Sequence, residues 1–566
     1  MGRNDPPELD EQPMLGSVFF NRNRRPQDVA WKWLYIASVL LTIVGGISAL
    51  THRNKDFSRL ISSDYLADPG HCPVGPSPTR RLLGSEDDFQ PKLFLEAAGL
   101  CTGVSIAGGL LLGLLALYLI KSKPHAMVGA AVGLQVLLPA AAGVTILAAG
   151  GGGGSVPMFL MSGLLAFVFY LYRQQLALVG RLLGVASHAL VDNPSIVGGS
   201  LLLQAGGLLL IVPMLAGVLL AYTNGGVIPN PAAASVDAGA KTCTDDQGQA
   251  VACCAWMPEG WAIAYMAWGS LVVGWSSLLV FTVKVFVISG VTAQWYFAPA
   301  TQKPRGALRR SLGHALGPNF GSLCLAAWLL NLLQMLKSMA ENARAENRDN
   351  FFVQLLVSCF EFLLTLLEAV TKFAVVRLAI TGDALMPSCR STADLLARNL
   401  LDSVGVWWFP GMILQVTALL LSCVWGLAVF GLSYGAWGGD NAALSSGIAM
   451  GVLAFFFGVL TVSFINSILL NIVDAVYICF AMDRDAQACT RLEVHEVYAL
   501  LPSNKAPLGV VEQPDGNYAF GSTPAATAGH GGQPGLGHGQ QVLAYAVPHA
   551  GGYAQPAVGY PSVPRA

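Results

Sequence analysis

FFVQLLVSCFEFLLTLLEAVTKFAVVRLAI, residues 351–380, is an almost unbroken apolar run with four charged side chains inside it. A helix needs roughly 20 mostly apolar residues to cross about 30 Å of hydrocarbon, and this run is long enough. The whole chain is 54% hydrophobic and only 11% charged, whereas a soluble domain is about 25% charged. We therefore predict that this run crosses a lipid bilayer.

Further apolar runs of this length lie on both sides of it. They predict an all-α fold, that of a polytopic integral membrane protein with about ten transmembrane helices. The glycines at 150–154 separate the third run from the fourth without a charge, and we predict a tight reversal there. The ten predicted spans are approximately residues 33–51, 97–120, 127–149, 157–176, 198–222, 261–289, 320–336, 351–380, 409–432 and 448–480.

Outside these runs the composition changes. Residues 1–32 are predicted to be a cytoplasmic N-terminal tail, and residues 33–500 a transmembrane domain. Residues 501–566 are rich in Gly, Pro and His, with apolar residues too scattered to form a core, and are predicted to be a disordered cytoplasmic tail.

The orientation follows from the Lys and Arg residues in short loops, which favour the cytoplasmic side. These residues predict cytoplasmic termini and place two polar loops outside the cell. Cys72, Cys243, Cys253 and Cys254 lie in those loops, where disulfides can persist, and their pairing stays open. The basic residues used are Arg22, Arg24, Arg25, Lys32, Lys121, Lys123, Arg173, Arg181, Lys303, Arg305, Arg309 and Arg310.

Charge and motifs exclude several classes of function. Lys and Arg number 32 against 33 Asp and Glu, so no basic surface is expected and nucleic acid is not an expected partner. No HExxH, GxSxG, CxxC or GxGxxG motif stands in a context that would give it chemistry. His530, His538 and His549 have no metal-site spacing. We therefore expect no enzyme, no cofactor and no metal.

Charged residues within the 351–380 run are costly at the centre of a bilayer and need an explanation. Glu361, Glu368 and Lys372 fall on one helix face. Glu368 and Lys372 are four residues apart and are predicted to form an ion pair with each other. Glu361 would then have no partner on its own helix, about 15 Å from the outer end. It is either a cation or proton site or a structural carboxylate bonded to a neighbouring helix.

An aromatic stripe marks the predicted span 261–289. Trp261, Trp268 and Trp275 recur every seven residues and so share one face. Aromatic faces hold quaternary ammonium groups by cation–π attraction. The alternatives are an interfacial anchor for Trp261 and helix packing for the other two. Lys284, near the inner end, is predicted to extend its ammonium group towards the surface.

Several segments of the chain resemble the choline transporter-like family, including its fungal pH-nine-sensitive branch. The segment CFEFLL at 359–364 and the exit AVVRLAITG at 374–382 are similar to the family pattern. The most specific match is VDAVYICFAMD at 473–483, which carries Asp474, Cys479 and Asp483 as a structural signature. The segments SGVTAQWYFA at 289–298 and RPQDVAW at 25–31 also resemble family segments.

This resemblance implies a ten-span plasma-membrane protein that transports choline or a related organic cation without ATP. Trp275, Trp268 and Glu361 are the candidate substrate-binding residues, and Asp474 is expected to be structural. The sequence departs from the family where Thr371, Lys372 and Phe373 replace an Asn-Arg-Asn pattern. The alternative function is that of a non-transporting membrane scaffold or lipid-handling protein.

Overall fold

The computed structural model describes most of the apolar part of the chain. It divides into two compact units, Met1–Cys479 and Phe480–Ala566. The described residues are 24–54, 57, 91–150, 152–230, 235–237, 242–244, 250–251, 254–298, 304–347, 350–398, 400–436, 441–486, 488–498, 510–512 and 518–520. The predictions for Cys72, for Cys253 and for most of the two tails lie outside these residues.

Helices dominate the described structure, as the composition predicts. They are α1 (Val29–Thr51), α2 (Pro91–Ser122), α3 (Pro124–Ala148), α4 (Gly152–Leu171), α5 (Arg173–Asp192), α6 (Ser195–Ala221), α7 (Gly260–Tyr296), α8 (Ala307–Leu316), α9 (Phe320–Glu346), α10 (Phe351–Thr381), α11 (Leu385–Arg398), α12 (Leu400–Ala436), α13 (Asn441–Asp485) and α14 (Leu492–Tyr498).

Nine helices within the described residues are long and apolar enough to cross a membrane, and Ala107–Ser122 in α2 is a shorter apolar segment. Together they match the ten predicted runs, which confirms an all-α polytopic membrane protein. The predicted run 157–176 extends too far, because α4 ends at Leu171 and Arg173 begins α5. A basic residue cannot easily continue a lipid-facing helix.

The predicted reversal between the third and fourth runs is confirmed. Gly150 has a φ of 83°, a left-handed conformation that favours glycine, and it lies between α3 and α4. The Ser162 hydroxyl of α4 donates a hydrogen bond to the Val136 carbonyl of α3 at 2.8 Å. The two helices therefore form a tight antiparallel hairpin.

Helix α7 is 37 residues long and packs against α1, α6, α8, α9 and α10. Small residues allow α1 and α6 to approach closely beside it, because a Cβ added to Gly217 would lie 3.0 Å from the Gly46 Cα. The Tyr265 hydroxyl of α7 donates to the Thr42 carbonyl of α1 at 2.8 Å. These three helices form one packed layer of the bundle.

Burial differs between the two ends of this bundle. We define the proximal half as the half that contains the start of α1 and the end of α10. The distal half contains the turn between α9 and α10. Every residue of α7 from Thr282 to Tyr296 is buried, in the proximal half. In the distal half, Phe351 and Phe362 of α10 are 80% and 73% exposed.

Short strands lie between α6 and α7. Strand β1 (Gly225–Pro229) pairs antiparallel with β5 (Cys254–Pro258), with Val227 opposite Trp256. Strands β2 (Ser235–Asp237), β3 (Thr242–Thr244) and β4 (Ala250–Val251) form a second sheet in the order β2-β3-β4. Cys243 and Cys254 are each disulfide-bonded, an outcome that the sequence allowed without deciding the pairing.

The second unit contains a short antiparallel sheet and α14. Its strands are β6 (Ala488–Cys489), β7 (Val510–Glu512) and β8 (Tyr518–Phe520), in the order β6-β8-β7. Strands β7 and β8 belong to the segment 501–566 that was predicted to be disordered, so that prediction is wrong for these residues, because backbone pairing with β6 and with each other orders them. The ring of Phe480 stacks on Tyr498 with centroids 4.3 Å apart. This aromatic contact covers one side of the α14 helix.

Candidate functional site

Two ion pairs join α9 to α10 in the distal half. Arg344 pairs with Glu361, and Lys337 pairs with Glu368. The hairpin sets this register, because the side chain of Asn350 accepts hydrogen bonds from the first turn of α10 and fixes where that helix begins. Glu361 and Glu368 are seven residues apart, as are Arg344 and Lys337, so both pairs lie on facing helix surfaces.

The two carboxylate oxygens of Glu361 differ in their hydrogen bonding. Its Oε2 accepts a hydrogen bond from Arg344, whereas its Oε1 is buried and has no hydrogen-bond partner within the described part of the chain. The prediction that Glu361 finds no partner on its own helix is confirmed. The carboxylate therefore has a fixed position and one oxygen that can accept a further hydrogen bond.

The third ion pair lies in the proximal half, where Lys372 of α10 donates to the Asp474 carboxylate of α13 at 2.6 Å. Asp474 is 1% exposed. The predicted pairing of Glu368 with Lys372 is therefore wrong. The spacing of four residues allows that pair, but Lys337 and Asp474 on neighbouring helices supply closer partners, and helix packing decides which charges meet.

Lys284 of α7 contradicts its sequence prediction as well. Its side chain does not reach the surface but is buried, and Nζ donates to the Ser467 hydroxyl at 2.8 Å. The ammonium group also lies 5.1 Å from the centroid of the Phe464 ring. Helix α7 continues to Tyr296, so Lys284 is three turns from its end and α13 encloses it.

The three tryptophans of the aromatic stripe differ in burial, and only Trp275 is enclosed by neighbouring helices. Trp275 is 2% exposed, and its indole N–H donates to the Cys324 carbonyl of α9 at 2.9 Å. Its ring contacts Tyr35, Trp31 and Trp328, with centroid distances of 5.2, 6.4 and 4.8 Å. These four residues form an aromatic cluster between α1, α7 and α9. Trp31 and Trp328 are only half-buried.

The other two tryptophans of the stripe lie outside this cluster. Trp268 is 37% exposed on the surface of α7. Trp261 donates its indole N–H to the Glu259 carboxylate at 2.6 Å and packs edge-on against His52. Both positions suit residues at the outside of a helix bundle.

The structure does not bring Trp275 and Glu361 together. Their partners on α9 are Cys324 and Arg344, which are separated by 20 residues, or about 30 Å along a helix. One small organic cation cannot contact both residues at once. The two candidate residues therefore lie in different halves of the bundle and do not form the single site that the sequence suggested.

A segment that sequence reasoning missed joins the helix ends of the proximal half. The Arg24 guanidinium donates to the Ala379 and Ile380 carbonyls at 2.8 and 3.3 Å, at the end of α10. These carbonyls have no partner within the helix, so the cation satisfies them and suits the negative end of the helix dipole. Burial lowers the pKa of Arg24 to about 10, and the charge of Asp383 opposes this. Gly382, with a φ of 78°, ends α10 beneath Arg24.

Asp28 completes this contact. Its carboxylate accepts from the Ser322 hydroxyl at 2.6 Å and from the Leu385 amide at 3.4 Å. We name residues 24–28 the proximal strap, because they tie α9, α10 and α11 together. The sequence feature that could have indicated this contact is the motif RPQDVAW at 25–31 with the preceding Arg24. Its charged residues stand directly before an apolar run and have no evident partner nearby in the sequence.

The signature residues at the end of α13 have separate surroundings. Cys479 is fully buried. In the second unit, the Asp483 carboxylate accepts hydrogen bonds from the Thr490 amide and hydroxyl, both at 3.0 Å, and lies 3.3 Å from His495 Nε2. Within the described residues, no group of three or more His, Cys, Asp or Glu is arranged to hold a metal.

Comparisons with known proteins identify the family. A CTL-like protein of Dictyostelium discoideum is 25% identical over 238 residues, which cover 39% of this chain and 42% of that protein. Protein PNS1 of Gibberella zeae is 29% identical over 149 residues, or 25% and 28% of the two chains. Choline transporter-like protein 1 of Caenorhabditis briggsae is 23% identical over 228 residues, or 37% and 28%.

The chain thus spans less than half the length of these relatives. The family model described as "Plasma-membrane choline transporter" matches residues 156–485, which include every ion pair and buried lysine of α7, α9, α10 and α13 described above. Because this match covers more than half of the chain, the protein belongs to the choline transporter-like family.

Proposed function

We propose that this protein is a secondary transmembrane transporter of choline or a related organic cation. The family supports a choline transporter-like role, and the names of several relatives refer to choline transport. The observation that carries the proposal is Glu361 Oε1, a buried carboxylate oxygen in an apolar helix that has no hydrogen-bond partner among the described residues and can therefore accept one. Intramembrane carboxylates of this kind mark substrate and ion pathways.

Choline suits such a carboxylate. Its hydroxyl group can donate to Glu361 Oε1, while its quaternary ammonium group has no N–H donor and needs charge or aromatic faces. Arg344 holds Oε2 and so orients the carboxylate. A positive group on the protein weakens the attraction for a cation, which favours reversible binding over permanent occupancy.

In this proposal the aromatic cluster in the proximal half is a second, separate binding site for the cation. Trp31 and Trp328 are half-buried and offer ring faces, whereas Trp275 is covered and holds the cluster in place through Cys324. A cation would meet Glu361 and the aromatic cluster in sequence as it crosses the membrane. Cation–π attraction to desolvated rings is worth about 2 kcal/mol.

Uptake of labelled choline into liposomes by the purified protein tests the proposal. Glu361→Gln keeps the shape and removes the charge, so we expect the choline concentration for half-maximal uptake to rise about tenfold. Glu341→Gln on exposed α9 surface is the matched control and should leave uptake unchanged. Equal affinity in both variants, at normal abundance, would make Glu361 a structural carboxylate.

A second candidate function is that of a lipid-handling protein or a membrane scaffold. It is favoured by an open apolar groove between α12 and α13, with a volume of about 330 Å³. Absence of uptake for choline and for other organic cations, in well-folded wild-type protein, would favour this alternative. The groove is lined by Cys423, Gly426, Leu427, Phe430, Ile448, Gly451, Val452 and Phe455.

We also propose a plasma-membrane location with both termini in the cytoplasm. The Lys and Arg residues in the short loops support this orientation. Tags at residues 1 and 566 should be inaccessible to antibody in intact cells and accessible after permeabilisation. Surface labelling of either tag would contradict the orientation.

Truncation after Phe520, which keeps strands β7 and β8, should leave uptake near normal, since the segment beyond it has little apolar content.

A further inference from the structure

A lysine is buried between α7, α10 and α13, and the described residues around it supply no counter-ion. Lys284 is 7% exposed, and Nζ has a neutral partner, the Ser467 hydroxyl. Within the described part of the chain, no carboxylate lies within 4.0 Å of this ammonium group. A buried charge of this kind is expensive unless something compensates it.

The neighbouring charges increase the need for compensation. Lys372 is close enough to act electrostatically on Lys284. Asp474 is the carboxylate that pairs with Lys372, and it lies two helical turns from Ser467 on α13. The cluster therefore contains two lysines and one carboxylate, and it carries an excess positive charge when both lysines are protonated.

A buried donor lies on α13 between Ser467 and Asp474, the partners of the two lysines. Asn471 is 3% exposed, and its Nδ2 has no hydrogen-bond partner within the described residues. Ser467, Asn471 and Asp474 follow one another at helical spacing, so they occupy one face of α13. The Asn471 amide is therefore at an intermediate height between the partners of Lys284 and Lys372.

We propose that this cluster binds a small inorganic anion between the Lys284 ammonium group and the Asn471 amide N–H. An anion supplies both missing interactions at once, since it offsets the excess positive charge and accepts a hydrogen bond from a buried donor. A cation is excluded from the same position because two ammonium groups repel it. The site is distinct from Glu361 and from the aromatic cluster, and it does not depend on the proposed transport activity.

Thermal unfolding of the full-length protein in detergent is the test, with chloride as the probe. Samples contain either about 150 mM chloride or gluconate at the same ionic strength, because gluconate is too large for an enclosed site. A ligand that binds only the folded state raises the midpoint of unfolding. We expect a midpoint about 2 °C higher in chloride for the wild-type protein.

Two lysine variants locate the effect. Lys284→Gln should remove the difference between chloride and gluconate, because it removes the unpaired charge. Lys337→Gln is the matched control, since Lys337 is also a lysine in an apolar helix but pairs with Glu368. The control should keep the chloride effect of the wild-type protein.

Asn471→Asp provides a second test in case Lys284→Gln does not fold. The new carboxylate supplies a permanent negative charge beside Lys284, so this variant should no longer respond to chloride and should be at least as stable as the wild-type protein in gluconate. Equal midpoints in chloride and gluconate for the wild-type protein would overturn the proposal. A chloride effect that persists in Lys284→Gln or in Asn471→Asp would overturn it too.

Discussion

The two halves of α10 have different surroundings although they belong to one continuous helix. From Ala369 to Ile380 most residues are buried, and Lys372 is paired with a carboxylate that is 1% exposed. From Phe351 to Leu367 most apolar residues are exposed, and the ion pairs of Glu361 and Glu368 are partly open. The proximal half is thus fixed by the bundle, whereas the distal half is held mainly by α9.

This difference indicates where the bundle can move. The proximal half is closed by the strap and by α8 and α11, so opening it would break many buried contacts. The distal ends of α9 and α10 are joined by charged side chains that water can replace. We expect any change of access to begin in the distal half, close to Glu361.

The largest expected effect comes from the buried ion pair. Asp474→Asn leaves the Lys372 ammonium group without a counter-ion, so the free energy of unfolding should fall by about 3 to 5 kcal/mol. The matched distal change, Glu368→Gln, should cost about 1 kcal/mol or less because that pair is partly open. Denaturant titration in detergent measures both.

A double variant checks the reason for this loss. Lys372→Met combined with Asp474→Asn removes both charges of this ion pair and should recover most of the stability, since neither residue then leaves an unpaired charge behind. Equal losses for Asp474→Asn and Glu368→Gln would show that the two halves do not differ as their burial suggests.

The proximal strap should give the next largest effect. Arg24→Met removes charged hydrogen bonds to the Ala379 and Ile380 carbonyls and should lower the free energy of unfolding by about 2 to 3 kcal/mol. Arg25→Met is the control, because Arg25 is exposed. Hydrogen exchange at the end of α10 should rise only in the Arg24 variant, and unchanged exchange there would refute the strap.

A smaller effect is expected in the aromatic cluster. Trp275→Phe keeps a ring but loses the N–H that donates to the Cys324 carbonyl, which should cost about 1 to 2 kcal/mol. Trp268→Phe, on the exposed surface of the same helix, should cost less than about 0.5 kcal/mol. Thermal unfolding in detergent compares the two, and a larger loss for Trp268 would reverse their assignment.

The smallest expected effect is on the stability of the protein at acidic pH. Burial and the positive charges of Arg24 and Arg310 lower the pKa of His314 from 6.5 to about 4. Between these values the unfolded chain binds a proton that the folded chain does not, so stability falls as the pH falls from 6.5 to 4. Because His314 is only half-buried, solvent screening reduces the effect, and His314→Gln should lower this acid sensitivity by less than about 1 kcal/mol, measured by unfolding at several pH values. An unchanged pH profile would contradict the shifted pKa.

The helical fold was predictable from the sequence because few backbone structures can cross a lipid bilayer. Every backbone N–H and C=O must be satisfied within the span, so long apolar runs have to be helices. The ten runs and the glycine reversal at Gly150 follow from local sequence, which also allowed the oxidation of Cys243 and Cys254. Burial of the Trp275 side chain was one of two alternatives that the sequence left open.

Partners across helices were not predictable. Spacing on α10 favours an ion pair between Glu368 and Lys372. Instead, Glu368 pairs with Lys337, which is 31 residues away in the chain, and Lys372 pairs with Asp474, which is 102 residues away. Lys284 stands near the end of an apolar run, but α7 continues beyond it and α13 covers it. Sequence periodicity describes one helix at a time, and it contains no information about which neighbour faces it.

The sequence by itself therefore determined the membrane class, the helices and the positions of the intramembrane charges, because the cost of exposing polar groups to lipid acts on each segment separately. The tertiary structure alone decided which charges pair, that Glu361 and Trp275 lie in opposite halves, and that Lys284 has no carboxylate partner among the residues that the structure describes. These features depend on helix register and packing, in which a rotation of one residue, about 100°, changes every partner.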